Sequence, residues 1–161
     1  MKTVLTTLKF PEGEFYSNVI LTEYEDIFRL REIYTSWREL CNMSINLGFR
    51  ANNIPDILGI SLFCIQNNAL RIPNKNKRVS YTFNCYKNEK CIQVRSCATK
   101  TDLTSFGKND VYDIFVFIDF YRKGEWDGSF DIYEIPAYVL YEAKVNSTKS
   151  LAEQQQEGKT I

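Results

Sequence analysis

Histidine is missing from this chain of 161 residues, and its absence excludes more chemistry than any other feature of the composition. Without an imidazole there is no Ser-His-Asp triad, no Cys-His pair and no histidine-bearing metal site. Most hydrolase and metalloprotease mechanisms are therefore excluded. Any chemistry must use carboxylates, amides, lysine or cysteine.

Long apolar runs and paired cysteines are also missing. No run reaches the roughly 20 residues that cross a membrane, and the first residues lack the apolar core of a signal peptide. We therefore expect a cytoplasmic protein with no membrane partner. The five cysteines are an odd number in apolar surroundings and contain no Cys-x-x-Cys pair. That pattern favours buried free thiols over a zinc site.

The composition is that of an ordinary globular domain, with 44% hydrophobic and 25% charged residues. The length is sufficient for one domain with a substantial core. No repeat, low-complexity tract or linker divides the chain. We therefore predict a single domain over residues 1–161.

The charge is unevenly distributed, although the net charge is zero. Residues 71–100 contain eight basic residues and one acidic residue, whereas the segments on either side are acidic. Aromatic residues are interleaved with these cations, which is typical of a surface that binds phosphates. A solvated strand edge protected by lysines is the equally weighted alternative.

Helical periodicity is clearest near the start of the chain. It predicts a long amphipathic helix over Asn18–Asn46, ended by Gly48, and a shorter buried helix over Ile57–Ala69. Near the end of the chain, Pro136 is predicted to start a third helix. Leu151–Glu157 is predicted to form a short terminal one.

From residue 78 the period changes to two, which predicts strands over 78–86 and 91–97 joined by a turn. If the turn centres near residues 88 and 89, the numbers of cross-strand neighbours sum to about 177. Asn84 then lies beside Gln93, with Arg95 two positions along the same face. Two further strands are predicted over 114–120 and 129–135, the first of them central. We predict an α/β (α+β) fold with a central mixed sheet of about four strands flanked by helices.

The polar cluster on this hairpin suits metal-assisted hydrolysis of a phosphodiester. Such a site has an acid at the end of one strand and a triplet on the next strand: an acid or amide, any residue, and a lysine. The acid and the first residue of the triplet hold Mg²⁺, and the lysine orients a water molecule. Gln93-Val94-Arg95 has the amide form of this triplet, nine residues after Asn84. On spacing alone, an ordinary polar-apolar-polar strand is the alternative.

Several longer runs around the cluster resemble one family. They are Ser80–Cys85, Ile92–Ser96, Asp102–Gly107, Asp119-Phe120, Asp127–Tyr133 and Gln154-Gln155, with Asn53–Leu58 and Phe63-Cys64 earlier in the chain. Together they resemble type II restriction endonucleases of the PD-(D/E)XK superfamily that cleave at GCNGC. The resemblance extends from about Trp37 to Gln156. The run Asp102–Gly107 is its most specific element.

The resemblance implies a PD-(D/E)XK-like restriction endonuclease core and Mg²⁺-dependent cleavage of double-stranded DNA in a restriction-modification system, usually by a homodimer. Relatives carry Asp where this chain has Asn84, and Lys where it has Arg95. An amide cannot supply the charge that attracts Mg²⁺, and a planar guanidinium replaces a point-charge ammonium. We therefore expect weak or absent cleavage with DNA binding kept.

The predicted site follows from this comparison. The catalytic residues are Asn84, Gln93 and Arg95, and the metal ligands are Asn84, Gln93 and Glu39, with Glu32 and Asp56 as unranked alternatives for the acid. The predicted DNA contacts are basic or polar residues of the loops and strands around the cluster: Arg71, Lys75, Lys77, Lys87, Lys100, Ser105, Lys108 and Asn109.

Three alternatives remain open at this point. A second triplet, Glu142-Ala143-Lys144, matches Glu-x-Lys literally, but it falls in a predicted helix, where its charged residues point about 200° apart. The second alternative is a DNA-binding remnant without enzymatic activity. Truncation at the C-terminus would be consistent with such a remnant. A structural or protein-interaction domain is the third alternative.

Overall fold

The computed structural model describes residues 1–73, 82–99, 110–122 and 124–157. Seven strands form one mixed sheet, in which they lie side by side in chain order. The elements are β1 (Lys2–Phe10), β2 (Gly13–Leu21), a 3₁₀ turn (Tyr24–Asp26), α1 (Ile27–Asn46), α2 (Asp56–Asn67), β3 (Leu70–Arg71), β4 (Cys85–Lys87), β5 (Lys90–Cys97), β6 (Ile114–Asp119), β7 (Asp131–Pro136), α3 (Ala137–Glu142) and α4 (Leu151–Gln156).

Strand direction makes the sheet mixed. β5 and β6 are parallel, and the other neighbouring strands are antiparallel. The predicted α+β class with a mixed sheet and flanking helices is confirmed. The predicted count of about four strands is too small, since the sheet has seven.

The N-terminal hairpin β1–β2 accounts for most of that difference and also corrects the first helix. The predicted helix start at Asn18 is wrong, because residues 18–21 complete β2 and α1 begins only at Ile27. Three consecutive apolar residues at 19–21 fit a helical and a strand period equally well. Pairing decides between them, since Val19 is opposite Val4 in the hairpin. The predicted end of the helix is confirmed by Gly48, which has φ +81°.

α1 and α2 cover one face of the sheet and form the main core with it. Buried side chains of both helices pack there against alternate residues of β5 and β6: Leu30, Trp37, Cys41, Leu58, Phe63 and Cys64 against Ile92, Val94, Val116 and Ile118. The predicted second helix is confirmed as α2. The predicted central strand is confirmed as β6, which lies between β5 and β7.

α3 covers part of the opposite face. Tyr112, Phe115 and Ala137 are buried together there, with Leu140 and Tyr141 packed against them. Residue pairs across β5 and β6 assign the two faces, because Gln93 is opposite Phe115 whereas Val94 is opposite Val116. Gln93 therefore lies on the α3 side of the sheet, away from α1 and α2.

The β4–β5 hairpin has the predicted register. Cys85 pairs with Ile92 and Tyr86 with Cys91, so the residue numbers of each pair sum to 177, as predicted. Asn88 and Glu89 both have positive φ angles, 50° and 61°. Two consecutive residues in that region make the type I′ turn that suits the twist of a hairpin. The part of the predicted first strand before residue 82 lies outside the described residues.

The last elements agree with their predictions, with one correction. β7, α3 and α4 lie where the strand and the two helices were predicted. The triplet Glu142-Ala143-Lys144 does not lie within a helix, because α3 ends at Glu142 and Ala143 is extended. Lys144 instead forms an isolated bridge with Ser150.

All five cysteines are buried and free, as predicted. Among the described residues, no helix combines the length and the apolar character needed to cross a membrane. The prediction that residues 1–161 form a single domain stays a prediction.

Candidate active site

Gln93 and Arg95 interact directly on the α3 side of the sheet. Alternation along β5 places their side chains on the same face. With its amide oxygen turned toward the guanidinium, Gln93 accepts hydrogen bonds from Arg95 Nη2 at 3.2 Å and Nε at 3.1 Å. Gln93 is buried, whereas 36% of the Arg95 side chain is exposed. The predicted triplet therefore forms a fixed pair whose cationic end reaches solvent.

Asn84 directly precedes β4, and its side chain forms hydrogen bonds with the backbone of β5. Its Nδ2 donates to Val94 O at 2.8 Å, and its Oδ1 accepts from Val94 N at 2.8 Å. The amide thus takes the place of a neighbouring strand at the point where the β4–β5 ladder ends. Buried backbone groups require hydrogen-bond partners, so the amide of Asn84 has a structural role at this position.

A second amide continues the same edge of β5. Asn53 Nδ2 donates to Ser96 O at 3.2 Å, and its Oδ1 accepts from Ala98 N at 3.0 Å. The C-terminal half of β5 therefore has β6 on one side and two asparagine side chains on the other. Nothing in the local sequence indicated this role for Asn53.

Asp56 is the acid that the structure places beside the pair. One carboxylate oxygen lies 3.8 Å from Arg95 Nη1 at the N-terminus of α2. Gly59, one turn later, fixes this approach, because a Cβ at that position would lie 1.7 Å from Ser96 Oγ. Residues three apart on a helix share a face, so this close contact also brings Asp56 to the edge of β5.

Glu39, the acid chosen from the sequence, is not brought to the cluster. It is exposed on α1, two residues from buried Trp37 and hence on a different side of the helix. α1 packs on the opposite face of the sheet from Gln93. The other unranked alternative, Glu32, is also exposed on α1.

Tyr112 lies near the guanidinium on the α3 side. Burial raises the pKa of Tyr112 above its ordinary value, and the positive charge of Arg95 lowers it by a smaller amount. Among the described residues, its buried hydroxyl has no hydrogen-bond partner. Sequence reasoning missed this residue, since a tyrosine just before an apolar strand is usually core.

The oxygen atoms of the cluster do not fit Mg²⁺. The described ranges contain no group of three or more His, Cys, Asp or Glu residues that could hold a metal ion. Mg²⁺ prefers carboxylate oxygens in near-octahedral geometry. Here the Asn84 oxygen is bound to Val94 N, the Gln93 oxygen faces Arg95, and Asp56 lies beside the same guanidinium.

Two predicted DNA contacts lie on the sheet. Arg71 is in β3, opposite Cys85, and Lys87 ends β4 beside the turn. Six others lie outside the described residues: Lys75, Lys77, Lys100, Ser105, Lys108 and Asn109. The assignment of all these residues, and of the catalytic and metal sets, stays a prediction.

A cleft of about 900 Å³ lies at the C-terminal end of β5, apart from the hairpin cluster. Arg50, Thr99, Tyr121 and Trp126 are among the residues that line it, and neither Gln93 nor Arg95 does so.

Comparison with known proteins gives one result. No curated protein and no solved structure gave a significant match. The family model described as Bsp6I restriction endonuclease matches residues 22–160, which begin directly after β2 and leave the hairpin β1–β2 outside. With most of its length matched by that model, the chain belongs to the Bsp6I restriction endonuclease family.

Proposed function

We propose that this protein binds double-stranded DNA at a short GC-rich palindrome such as GCNGC, as a type II restriction endonuclease whose hydrolytic step is weak or lost. Family membership over residues 22–160 supports the DNA substrate and the restriction-modification role. The engagement of Asn84 with Val94 supports the second part, because the only oxygen of this uncharged amide is already bound to Val94 N.

The competing candidate is an active Mg²⁺-dependent enzyme that cleaves both strands. Family membership favours it, since the matching family model is described as a restriction endonuclease. The two candidates differ in one measurable property. An active enzyme linearises a plasmid with GCNGC sites when Mg²⁺ is added, whereas the proposed protein retains the DNA without cutting it.

The test combines a binding assay and a cleavage assay on the wild-type protein. We expect fluorescence anisotropy to show tighter binding to a GCNGC duplex than to a scrambled duplex of equal composition. The affinity should fall steeply with salt, because phosphate contacts release counterions. Rapid Mg²⁺-dependent cleavage that Gln93→Ala abolishes would overturn the loss of hydrolysis, and absence of salt-dependent binding would overturn the DNA partner.

We also propose that the protein acts as a homodimer, which suits a palindromic site. Apolar side chains spaced three and four residues apart remain exposed on α1 and the residue that follows it; they include Leu40 at 52% and Met43 at 63%, with Leu47 at 74% directly after the helix. This spacing is typical of a helix that packs against another helix. Sedimentation should give a dimer that Leu40→Lys disrupts and the polar control Asn42→Lys does not. A monomeric wild-type protein on its DNA would exclude the dimer.

A further inference from the structure

The cation of the hairpin site is part of the protein itself. With the Gln93 amide oxygen turned toward it, the guanidinium of Arg95 lies within 3.2 Å of that oxygen and 3.8 Å from an Asp56 carboxylate oxygen. It therefore lies among the same oxygen atoms that a divalent metal in this cluster would need. We propose that Arg95 replaces the metal ion and binds a phosphate of the duplex directly, without a divalent cation. This inference rests on the proposed DNA-binding function.

The geometry of Arg95 leaves it able to take a second anion. A guanidinium has five N–H donors, and Gln93 uses one on Nε and one on Nη2. The Asp56 contact is at 3.8 Å, too long for a hydrogen bond, and 58% of that acid's side chain is exposed. The remaining donors can therefore bind a phosphate oxygen, which matches the planar fork of arginine.

The neighbouring residues hold the guanidinium in place. The Gln93 side chain that accepts both hydrogen bonds is itself buried, at 5% exposed. A neutral amide fixes the orientation of Arg95 and leaves its charge intact. A carboxylate at position 93 would neutralise that charge. The basic residues Lys87 and Lys90 flank the turn of the same hairpin, which favours approach of a polyanion.

The decisive variant is Gln93→Glu, because the two explanations predict opposite results. A carboxylate at position 93 would pair with the guanidinium and compete with the phosphate, so we expect DNA affinity to fall. In a metal-based site the added charge would instead strengthen Mg²⁺-dependent binding. The measurement is anisotropy of a GCNGC duplex in EDTA and again in Mg²⁺, with circular dichroism to verify the fold.

Arg95→Ala and Arg95→Lys complete the experiment, with Lys90→Ala as the control that removes one charge from the same hairpin. We expect wild-type affinity to be equal in EDTA and Mg²⁺. Arg95→Ala should lose roughly 10-fold in affinity and about one unit of salt slope, more than Lys90→Ala loses. Arg95→Lys should recover part of the affinity, because it keeps the charge but not the fork.

The outcomes separate this inference from the function on which it rests. Salt-dependent binding by the wild type that Arg95→Ala leaves unchanged, or that EDTA abolishes, overturns the role of Arg95 and keeps the DNA-binding function. A wild-type protein that binds no DNA in either buffer overturns the proposed function as well.

Discussion

Replacing Asn84 by aspartate tests the structural role of its amide. The substitution keeps an acceptor for Val94 N but replaces the donor to Val94 O, now at 2.8 Å, by a second oxygen. The lost hydrogen bond contributes about 1 kcal/mol, and a buried carbonyl without a partner costs about 1–3 kcal/mol. The stronger bond from Val94 N to a charged oxygen offsets part of this. We therefore expect Asn84→Asp to lower the free energy of unfolding by about 1–3 kcal/mol at pH 7.

The pH dependence gives this prediction a specific signature. In the folded state the new carboxyl loses its proton beside a carbonyl oxygen, so its folded pKa lies above the unfolded value of about 3.9. The loss of stability is therefore complete above the folded pKa and disappears as the pH falls toward about 4, where the protonated group again donates to Val94 O.

The assay is denaturant unfolding of the wild type and Asn84→Asp at pH 7 and at a pH of about 4. Asn88→Asp is the matched control, because the same change falls in the exposed turn of the same hairpin. For a chain of this size, each kcal/mol should also lower Tm by roughly 2–4 °C. An Asn84→Asp variant as stable as the wild type at pH 7 would refute the reasoning.

Two further predictions concern the core. Gly59→Ala should destabilise the protein by about 1–3 kcal/mol, although alanine has the better helix propensity, because the new Cβ would lie 1.7 Å from Ser96 Oγ. In a double-mutant cycle measured by denaturant unfolding, Ser96→Ala should recover much of the lost stability. Burial, helped by Asp113, raises the pKa of Cys91 from 9.0 to about 12, so the unfolded state releases its proton first. The free energy of unfolding should thus decrease as the pH rises through that window, a slope that Cys91→Ala reduces; an unchanged slope would contradict the assignment.

The sequence predicted the hairpin well because its determinants are local. Alternation from residue 90 onward and the two turn residues Asn88 and Glu89 decide both the register and the shared face of Gln93 and Arg95. The core helix α2 was equally predictable, since Leu58, Leu62 and Ile65 recur at helical spacing shortly after Pro55. The β1–β2 hairpin carried a readable signal in the turn around Gly13, but its apolar run at 19–21 also fitted a helix.

The contacts of the site were not predictable because they join distant segments. Asp56 reaches Arg95 only because Gly59 allows α2 to approach Ser96, a contact between residues far apart in sequence. Glu39 was equally plausible by residue type and spacing. Its placement away from the cluster depends on which face of the sheet α1 covers, which periodicity alone does not reveal.

Asn84 and Arg95 are best understood together, which makes the double variant the most informative one. Arg95→Lys alone frees the Gln93 oxygen and Asp56 from the guanidinium but leaves an amide bound to Val94. Asn84→Asp alone adds a charge while the guanidinium still lies among the remaining oxygens. Only the double variant supplies two carboxylates and a free amide oxygen, so we expect calorimetry to show Mg²⁺ binding there and in neither single variant. Mg²⁺ binding by Arg95→Lys alone would show that Asn84 is no obstacle to a metal.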